Sequence, residues 1–199
     1  HLCKSFSKSY NVINISRSIA SCKHNIISNF KNLKDLKQKL ETMKISHEIC
    51  ILNAGTLGNI AQASKINYED FLDSIKINVL ANKIITDWSI SNGCKYFIGI
   101  SSGAAIKNYD GWLNYCVSKS AFRSMLFQYQ KDLPKLSFKL ISPGILSTKM
   151  NKKIKVQDIS LFPDMTKFHQ TTAEHPSKAA ELIYKNHKKY LEAKNTEID

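Results

Sequence analysis

Glycine is scarce in this 199-residue chain, and none precedes Gly55. The N-terminal quarter therefore cannot build a glycine-rich turn whose backbone N–H groups close around a phosphate. Paired cysteines are missing as well. Cys3, Cys22, Cys50, Cys94 and Cys116 are scattered, with neither the spacing of a metal site nor that of a disulfide scaffold. Reduced thiols, no metal and a cytoplasmic location are the expectations. No apolar run approaches the ~20 residues that span a bilayer, so no membrane partner is expected. Neither internal repeats nor Pro-, Gly- or Ser-rich linkers divide the sequence, and residues 1–199 are expected to form one domain.

Acidic residues are few. Sixteen Asp and Glu face 29 Lys and Arg, which leaves a net charge of +13. Such an excess raises the question of nucleic acid binding. Yet the lysines are spread over the whole chain among many Asn and Ile residues, and arginine occurs only at Arg17 and Arg123. A compositional bias toward Lys, Ile and Asn explains the charge, and no nucleic-acid partner is expected.

What the sequence does contain is an alternation of short apolar runs with segments of helical period. Leu2 to Tyr10 reads as the end of a helix and Val12 to Ile15 as a short buried strand. A further strand is expected at Ile26 to Asn29 and an amphipathic helix from Leu33 to Met43. Glu48 to Leu52 is apolar enough to be buried on both faces, as in a parallel sheet. Asn67 can cap a helix from Tyr68 to about Ser91, ended by Gly93. Strands follow at Tyr96 to Ile100 and Leu136 to Ile141, and helices at Leu113 to Lys131 and, after Pro176, Ser177 to Leu191. The first of these helices is expected to carry Val117, Ala121, Met125 and Leu126 along one face. Asn195 to Asp199 reads as the start of a last strand. The order implies an α/β, doubly wound parallel sheet.

One stretch carries chemistry. The run Tyr96 to Ile100 leads into Ser102, and a tyrosine and a lysine follow at Tyr115 and Lys119. Residues i and i+4 of a helix share a face, so Tyr115 and Lys119 lie one above the other. A free tyrosine has a pKa near ~10, and a cation one turn away favours its phenolate. Ser102 can hold a carbonyl oxygen against the phenol while charge develops there. The implied reaction is proton delivery to an oxygen that becomes an alcohol as hydride arrives at its carbon. No side chain carries a hydride, so a cofactor is required. Alone, a Tyr-x-x-x-Lys pair is usually a solvated helix pair.

With its neighbours the pair is similar to the short-chain dehydrogenase/reductase family. The carriers of that resemblance are Ser102, Tyr115 and Lys119, then Leu52-Asn53-Ala54-Gly55, Asn78 in Ile77-Asn78-Val79, and Pro143-Gly144-Ile145-Leu146-Ser147-Thr148. Four motifs in order cover nearly the whole chain. Ser101 to Ala105, Gly111-Trp112, Tyr115-Cys116 and Met125 to Gln128 are most similar to the sepiapterin reductase and benzil reductase branch.

The resemblance implies a Rossmann-type fold and an NADPH-dependent carbonyl reductase. Tyr115 is implied as the proton donor, Ser102 as the residue that orients the carbonyl, and Lys119 as the group that binds the nicotinamide ribose and lowers the tyrosine pKa. Asn78 would complete a proton relay. Asn53, Ala54 and Gly55 would lie against the cofactor ribose, Pro143 and Gly144 would form the loop over the nicotinamide, and Thr148 would bond its carboxamide. Arg17, at the end of the Val12 to Ile15 strand, suits a 2′-phosphate and so favours NADP over NAD. Asn29 stands where the family carries an Asp near the adenine.

The family's glycine-rich loop and first strand are absent, and are expected upstream of His1. Residues 149–172 have no clear period and correspond to the family's substrate-covering loop. Asp158, Phe162 and His169 lie in it, and His169 reads as a surface residue. The expected substrate is a small ketone, diketone or pterin side chain, and the expected assembly a homodimer or homotetramer. The rival readings are a catalytically impaired binding or scaffold protein on the same fold, and a basic nucleic-acid-binding module.

Overall fold

The computed structural model describes residues 1–198. Helix α1 (Leu2–Phe6) is followed by strands β1 (Ile13–Ser16) and β2 (His24–Ile27), helix α2 (Leu33–Glu41) and β3 (Ile49–Leu52). One long helical run comprises α3 (Tyr68–Ile75), a π-helical turn (Lys76–Leu80) and α4 (Ala81–Ser91). Then come β4 (Tyr96–Ile100), α5 (Leu113–Asp132), β5 (Ser137–Ile141), α6 (Lys149–Lys155), α7 (Thr166–Gln170), α8 (Pro176–Glu192) and β6 (Glu197–Ile198). Asp199, at the end of the expected last strand, lies outside the described residues.

Local chemistry sets the boundaries. The Asn32 side chain accepts the Asp35 N–H and starts α2, and Asn67 does the same for α3 through the Asp70 N–H. Gly93 ends α4 with φ +84°, a conformation that glycine adopts without steric cost.

All strand pairs are parallel, as the alternating pattern implies. The register of β3, β4 and β5 aligns Cys50 with Phe97 and Phe97 with Phe138, whose rings stack at 4.5 Å. Arg123 of α5 grips both carboxylate oxygens of Glu197, at 2.8 and 2.7 Å, and so secures β6. Helix α1 packs on α8, while α2 packs on α4 and α3 on α5, giving two helical layers. The main core joins Leu36 and Leu40 of α2, Ile85 of α4, Phe97, Phe122, Leu126, Phe138 and Leu140.

The sheet is in two pieces. Its order is β3-β4-β5-β6 in one and β1-β2 in the other. The expectation of a doubly wound parallel sheet without its first strand takes this form: β1 and β3 are not paired to each other. Between them lies a cavity of about 750 Å³, lined by every residue of both strands.

Three local expectations are corrected. The strand expected at Ile26 to Asn29 is His24–Ile27, because pairing of Ile13 with His24 through Ser16 with Ile27 sets its register. Val117 is not on the buried face of α5; it is exposed, and Tyr115, Ser118 and Lys119 take the inward positions beside Phe122 and Leu126. Residues 149–172 are not without period throughout, since α6 and α7 form there, with the Thr148 side chain capping α6.

Candidate active site

Strand β4 ends at Ile100, and the chain turns at Ser102. The Ser102 hydroxyl oxygen accepts the Ala104 N–H at 3.2 Å and caps a single helical turn over Gly103–Ala105. Helix α5 then returns across this strand end and presents Tyr115 and Lys119, one turn apart, toward it. Tyr115 is 7% exposed and Lys119 5%. The Lys119 ammonium donates to the Ile100 carbonyl at 2.8 Å and lies 5.9 Å from the centre of the Tyr115 ring.

Burial dominates the electrostatics. It pushes the Tyr115 phenol above its usual value, and the neighbouring Ser102 side chain pulls it the other way. Burial pushes Lys119 down from 10.5 to about 8. The sequence reading has Lys119 lowering the tyrosine pKa. Here the ammonium is turned to Ile100, and desolvation decides the direction of both shifts. Tyr115 is accordingly protonated at neutral pH, the state in which it can act as an acid.

Asn78 lies in the π-helical turn, 1% exposed. Its Oδ1 accepts the Thr56 N–H at 2.7 Å, and its Nδ2 donates to the Thr56 carbonyl at 2.8 Å and to Ser118 Oγ at 2.7 Å. One amide thereby ties the loop after β3 to α5. Single π turns recur at functional sites because they re-aim the side chains they carry. Gly55 sits against this group: a Cβ there would stand 3.6 Å from Asn78 Oδ1 and 3.7 Å from Lys119 Nζ. Asn78, Gly55, Tyr115 and Lys119 therefore converge, with Ser102 beside the tyrosine.

Asn53, Ala54 and Gly55 line the end of the cavity between β1 and β3, and Ser16 and Arg17 line it from the other side. Arg17 is exposed there. Asn29 is not part of that lining; its Oδ1 accepts the Lys31 N–H at 3.1 Å in a turn. Gly144 takes φ +75° after Pro143 and turns the chain away from β5. Thr148 Oγ1 accepts the Asn151 N–H at 3.2 Å, which leaves its O–H free to donate. Asp158 is exposed and bonds Ser160, and His169 is exposed, as expected of a surface histidine.

Sequence reasoning missed an aromatic wall. Trp112 meets the Tyr115 ring at 5.7 Å, Tyr109 at 4.9 Å and Phe168 at 5.0 Å. Phe162 and Met165 of the segment after α6 pack into the same cluster. A Cβ on Gly103 would stand 3.2 Å from the Tyr109 hydroxyl, so the wall reaches the Ser102 turn. The available signal was the density of aromatics at Tyr109, Trp112, Phe162 and Phe168.

A family model described as short chain dehydrogenase matches residues 12–158. The chain belongs to the short-chain dehydrogenase family. Two similar proteins are benzil reductases described as (S)-benzoin forming. That of Bacillus cereus is 26% identical over 85% of this chain and 70% of the relative. That of Bacillus subtilis (strain 168) is 24% identical over 84% and 77%. In fold, the chain is similar to the enzyme KRED1-Pglu, with a TM-score of 0.80, 15% identity, and coverage of 99% of this chain and 92% of that one.

The short-chain dehydrogenases are oxidoreductases that use a nicotinamide cofactor. The residues at the nicotinamide end fit that group. Gly55 leaves open the space beside Lys119 Nζ that a side chain would fill, and Asn53 and Ala54 continue the same groove toward Arg17. Among the described residues no group of three or more His, Cys, Asp or Glu side chains is placed to hold a metal ion. No helix among them is long and apolar enough to cross a membrane.

Proposed function

We propose that this protein is an NADPH-dependent carbonyl reductase acting on a small aryl ketone or 1,2-diketone. The observation that carries the reading is the convergence of Tyr115, Ser102, Lys119 and Asn78 at one end of the groove, with aromatic rings on the far side of the tyrosine. A reduced nicotinamide bound in the groove would supply the hydride. Tyr115 gives its phenolic proton to the carbonyl oxygen, and Ser102 holds that oxygen by a hydrogen bond that strengthens as negative charge develops. Lys119 holds the nicotinamide ribose from its buried place on the Ile100 carbonyl, 5.9 Å from the centre of the Tyr115 ring. Asn78 keeps the Thr56 loop and Ser118 in place around them. Arg17 is the group for a 2′-phosphate, and the O–H of Thr148 is the donor for a carboxamide.

The aromatic wall of Tyr109, Trp112 and Phe168 supports an aryl substrate, since flat rings stack on or edge against one another. The name of the two Bacillus relatives supports the same class. Five cysteines free of disulfides support a reducing compartment, in keeping with the cytoplasm. Val117 and Phe127 are exposed on α5 and support self-association through that helix.

The test is NADPH oxidation with benzil and with aliphatic diketones, beside Tyr115→Phe. Turnover of benzil by the wild type with loss in the variant is expected. Equal turnover by both would refute the role of Tyr115, and NADPH binding without turnover of any carbonyl would favour a binding protein on the same fold.

A further inference from the structure

Residues 149–161 begin the segment that folds back over α5, and the two sides of this stretch differ in chemistry. Inward, Ile154 and the following Phe162 and Met165 are buried in one cluster with Trp112 and Tyr115. Outward, Val156 is 79% exposed, Ile159 45% and Leu161 63%. Val156 ends α6, and the Leu161 and Phe162 N–H groups both donate to the Asp158 carbonyl, closing the turn that carries Ile159 and Leu161. Single exposed apolar side chains are ordinary, but three within six residues mark a surface that something covers.

The same stretch is strongly basic. It carries Lys149, Lys152, Lys153 and Lys155 against one acid, Asp158. Lys153 donates to the Gly58 carbonyl at 2.6 Å and ties α6 to the loop after β3. Lys149, Lys152 and Lys155 are exposed. Helical spacing puts Lys149 and Lys152, two turns and one turn before Val156, on the face that Val156 shares. Asp158 is turned to the N–H and hydroxyl of Ser160, at 2.8 and 2.7 Å. An apolar tip therefore stands beside ammonium groups whose alkyl stems are themselves apolar.

This pairing discriminates among occupants. Lysine is depleted at protein interfaces, where its charge must be desolvated. Single-stranded nucleic acids are held by aromatic rings that stack on bases, and the exposed tip is aliphatic. An anionic bilayer takes both halves: aliphatic side chains enter the boundary between headgroups and acyl chains, while the ammonium groups stay among the phosphates. The net charge of +13 draws the chain toward such a surface from a distance. The expectation of no membrane partner rests on the lack of a spanning run, and a tip that lies in the interface needs none.

We propose that the exposed face of residues 149–161 docks on an anionic lipid surface, with Val156, Ile159 and Leu161 inserted between the headgroups and Lys149, Lys152 and Lys155 against them. Docking turns the Trp112 and Tyr115 cluster, which lies behind the tip, toward the bilayer. The contact itself is independent of the chemistry at Tyr115.

The test is co-sedimentation of the whole chain with phosphatidylcholine vesicles containing about 30% phosphatidylserine, beside vesicles of phosphatidylcholine alone, at about 0.1 M salt. Binding to the mixed vesicles alone, weakened at about 0.5 M salt, is expected. Each lysine at an anionic surface is worth about a fivefold change in partitioning, so Lys149→Gln with Lys152→Gln should weaken binding about 25-fold. Lys188→Gln with Lys189→Gln, on α8, removes the same charge elsewhere and should weaken it less than about threefold. Val156→Ser, Ile159→Ser and Leu161→Ser together should weaken it about tenfold or more. That variant should keep its unfolding midpoint within about 2 °C, as exposed positions do. Leu161→Trp should gain emission that brominated acyl chains quench, beyond any quenching of the native Trp88 and Trp112. Absence of binding to the mixed vesicles would overturn the proposal and leave a protein partner for the tip. Equal loss from the two lysine pairs, undiminished binding of the triple serine variant, or an unquenched Leu161→Trp would overturn it too, since net charge alone would then hold the chain.

Discussion

The ammonium of Lys119 is hydrogen-bonded to the carbonyl of Ile100, the last residue of β4, and not to the phenol of Tyr115 one turn away. The lysine is thus held at the strand end before any ligand arrives, in a place that burial makes unfavourable for its charge.

That placement predicts a conflict between stability and activity. With Lys119 at about 8 in the folded chain against 10.5 unfolded, charging it costs about 3 kcal/mol at neutral pH. Lys119→Met removes this cost and leaves the Ile100 carbonyl without its donor, worth about 1 kcal/mol. The variant should therefore be more stable by about 2 kcal/mol at pH 7. Between pH 8 and 10.5 the unfolded chain retains a proton that the folded wild type has released, so wild-type stability rises with pH there. Urea midpoints at pH 7 and pH 10 should show the advantage of the variant shrinking. A constant gap would refute the assignment.

Tyr115→Phe should fold normally and lower kcat by about 10²–10⁴, because proton delivery in the transition state is worth that much. Single-turnover measurement of NADPH consumption with benzil reads it directly. The raised pKa of Tyr115 further predicts that reduction does not decline as pH rises through 9 on account of this group losing its proton.

Arg17 is exposed and, in its proposed role, meets only the cofactor. Arg17→Ala should change stability by less than about 0.5 kcal/mol. It should raise the KM for NADPH by about tenfold with that for NADH unchanged, as expected for loss of one charge-assisted contact. A clear preference of the wild type for NADH would remove the role given to Arg17.

Asn78→Ala breaks three hydrogen bonds at once, the one to Ser118 buried and the two to Thr56 part-buried, and removes the side-chain partner of both Thr56 backbone groups. A loss of about 2–4 kcal/mol is expected from urea unfolding. Reduced kcat should accompany it, because the loop that carries Gly55 is no longer tied to α5.

Gly99→Ala would place a methyl 2.5 Å from Leu126 Cδ1 and 3.1 Å from Leu140 Cδ2. Overpacking of that kind costs about 1–3 kcal/mol. Thermal unfolding should show the drop, and in a Leu126→Ala background the same Gly99→Ala change should cost less, since the clashing methyl is gone.

The sequence made the Tyr115–Lys119 pair legible because helical geometry alone puts residues four apart on one face. Most element positions were legible for the same kind of reason: Asn67 and Gly93 mark the ends of the α3–α4 run by cap chemistry. The α5 face was misread because its inward positions are polar. Tyr115, Ser118 and Lys119 interrupt the apolar period that a hydrophobic pattern follows, and Val117 is left outside. The π turn at Asn78 has no sequence signature, since it is a matter of one shifted hydrogen-bond register. The aromatic wall escaped notice because Trp112 and Phe168 are distant in sequence and meet only when residues 149–172 fold back over α5.

Those residues have a common stem. Leu146 bridges Glu174, with the Ser147 N–H donating to the Glu174 carbonyl and the Glu174 N–H to the Ile145 carbonyl. Everything between is therefore a closed excursion whose two ends are fixed by backbone atoms alone, whatever side chains it carries. Lengthening such an excursion adds only a logarithmic entropy cost. The stem is thus independent of side chains while the filling is not: Ile154, Phe162 and Met165 share a buried cluster with Trp112 and Tyr115, so any replacement of the segment must supply apolar groups there for the Tyr115 helix to stay seated.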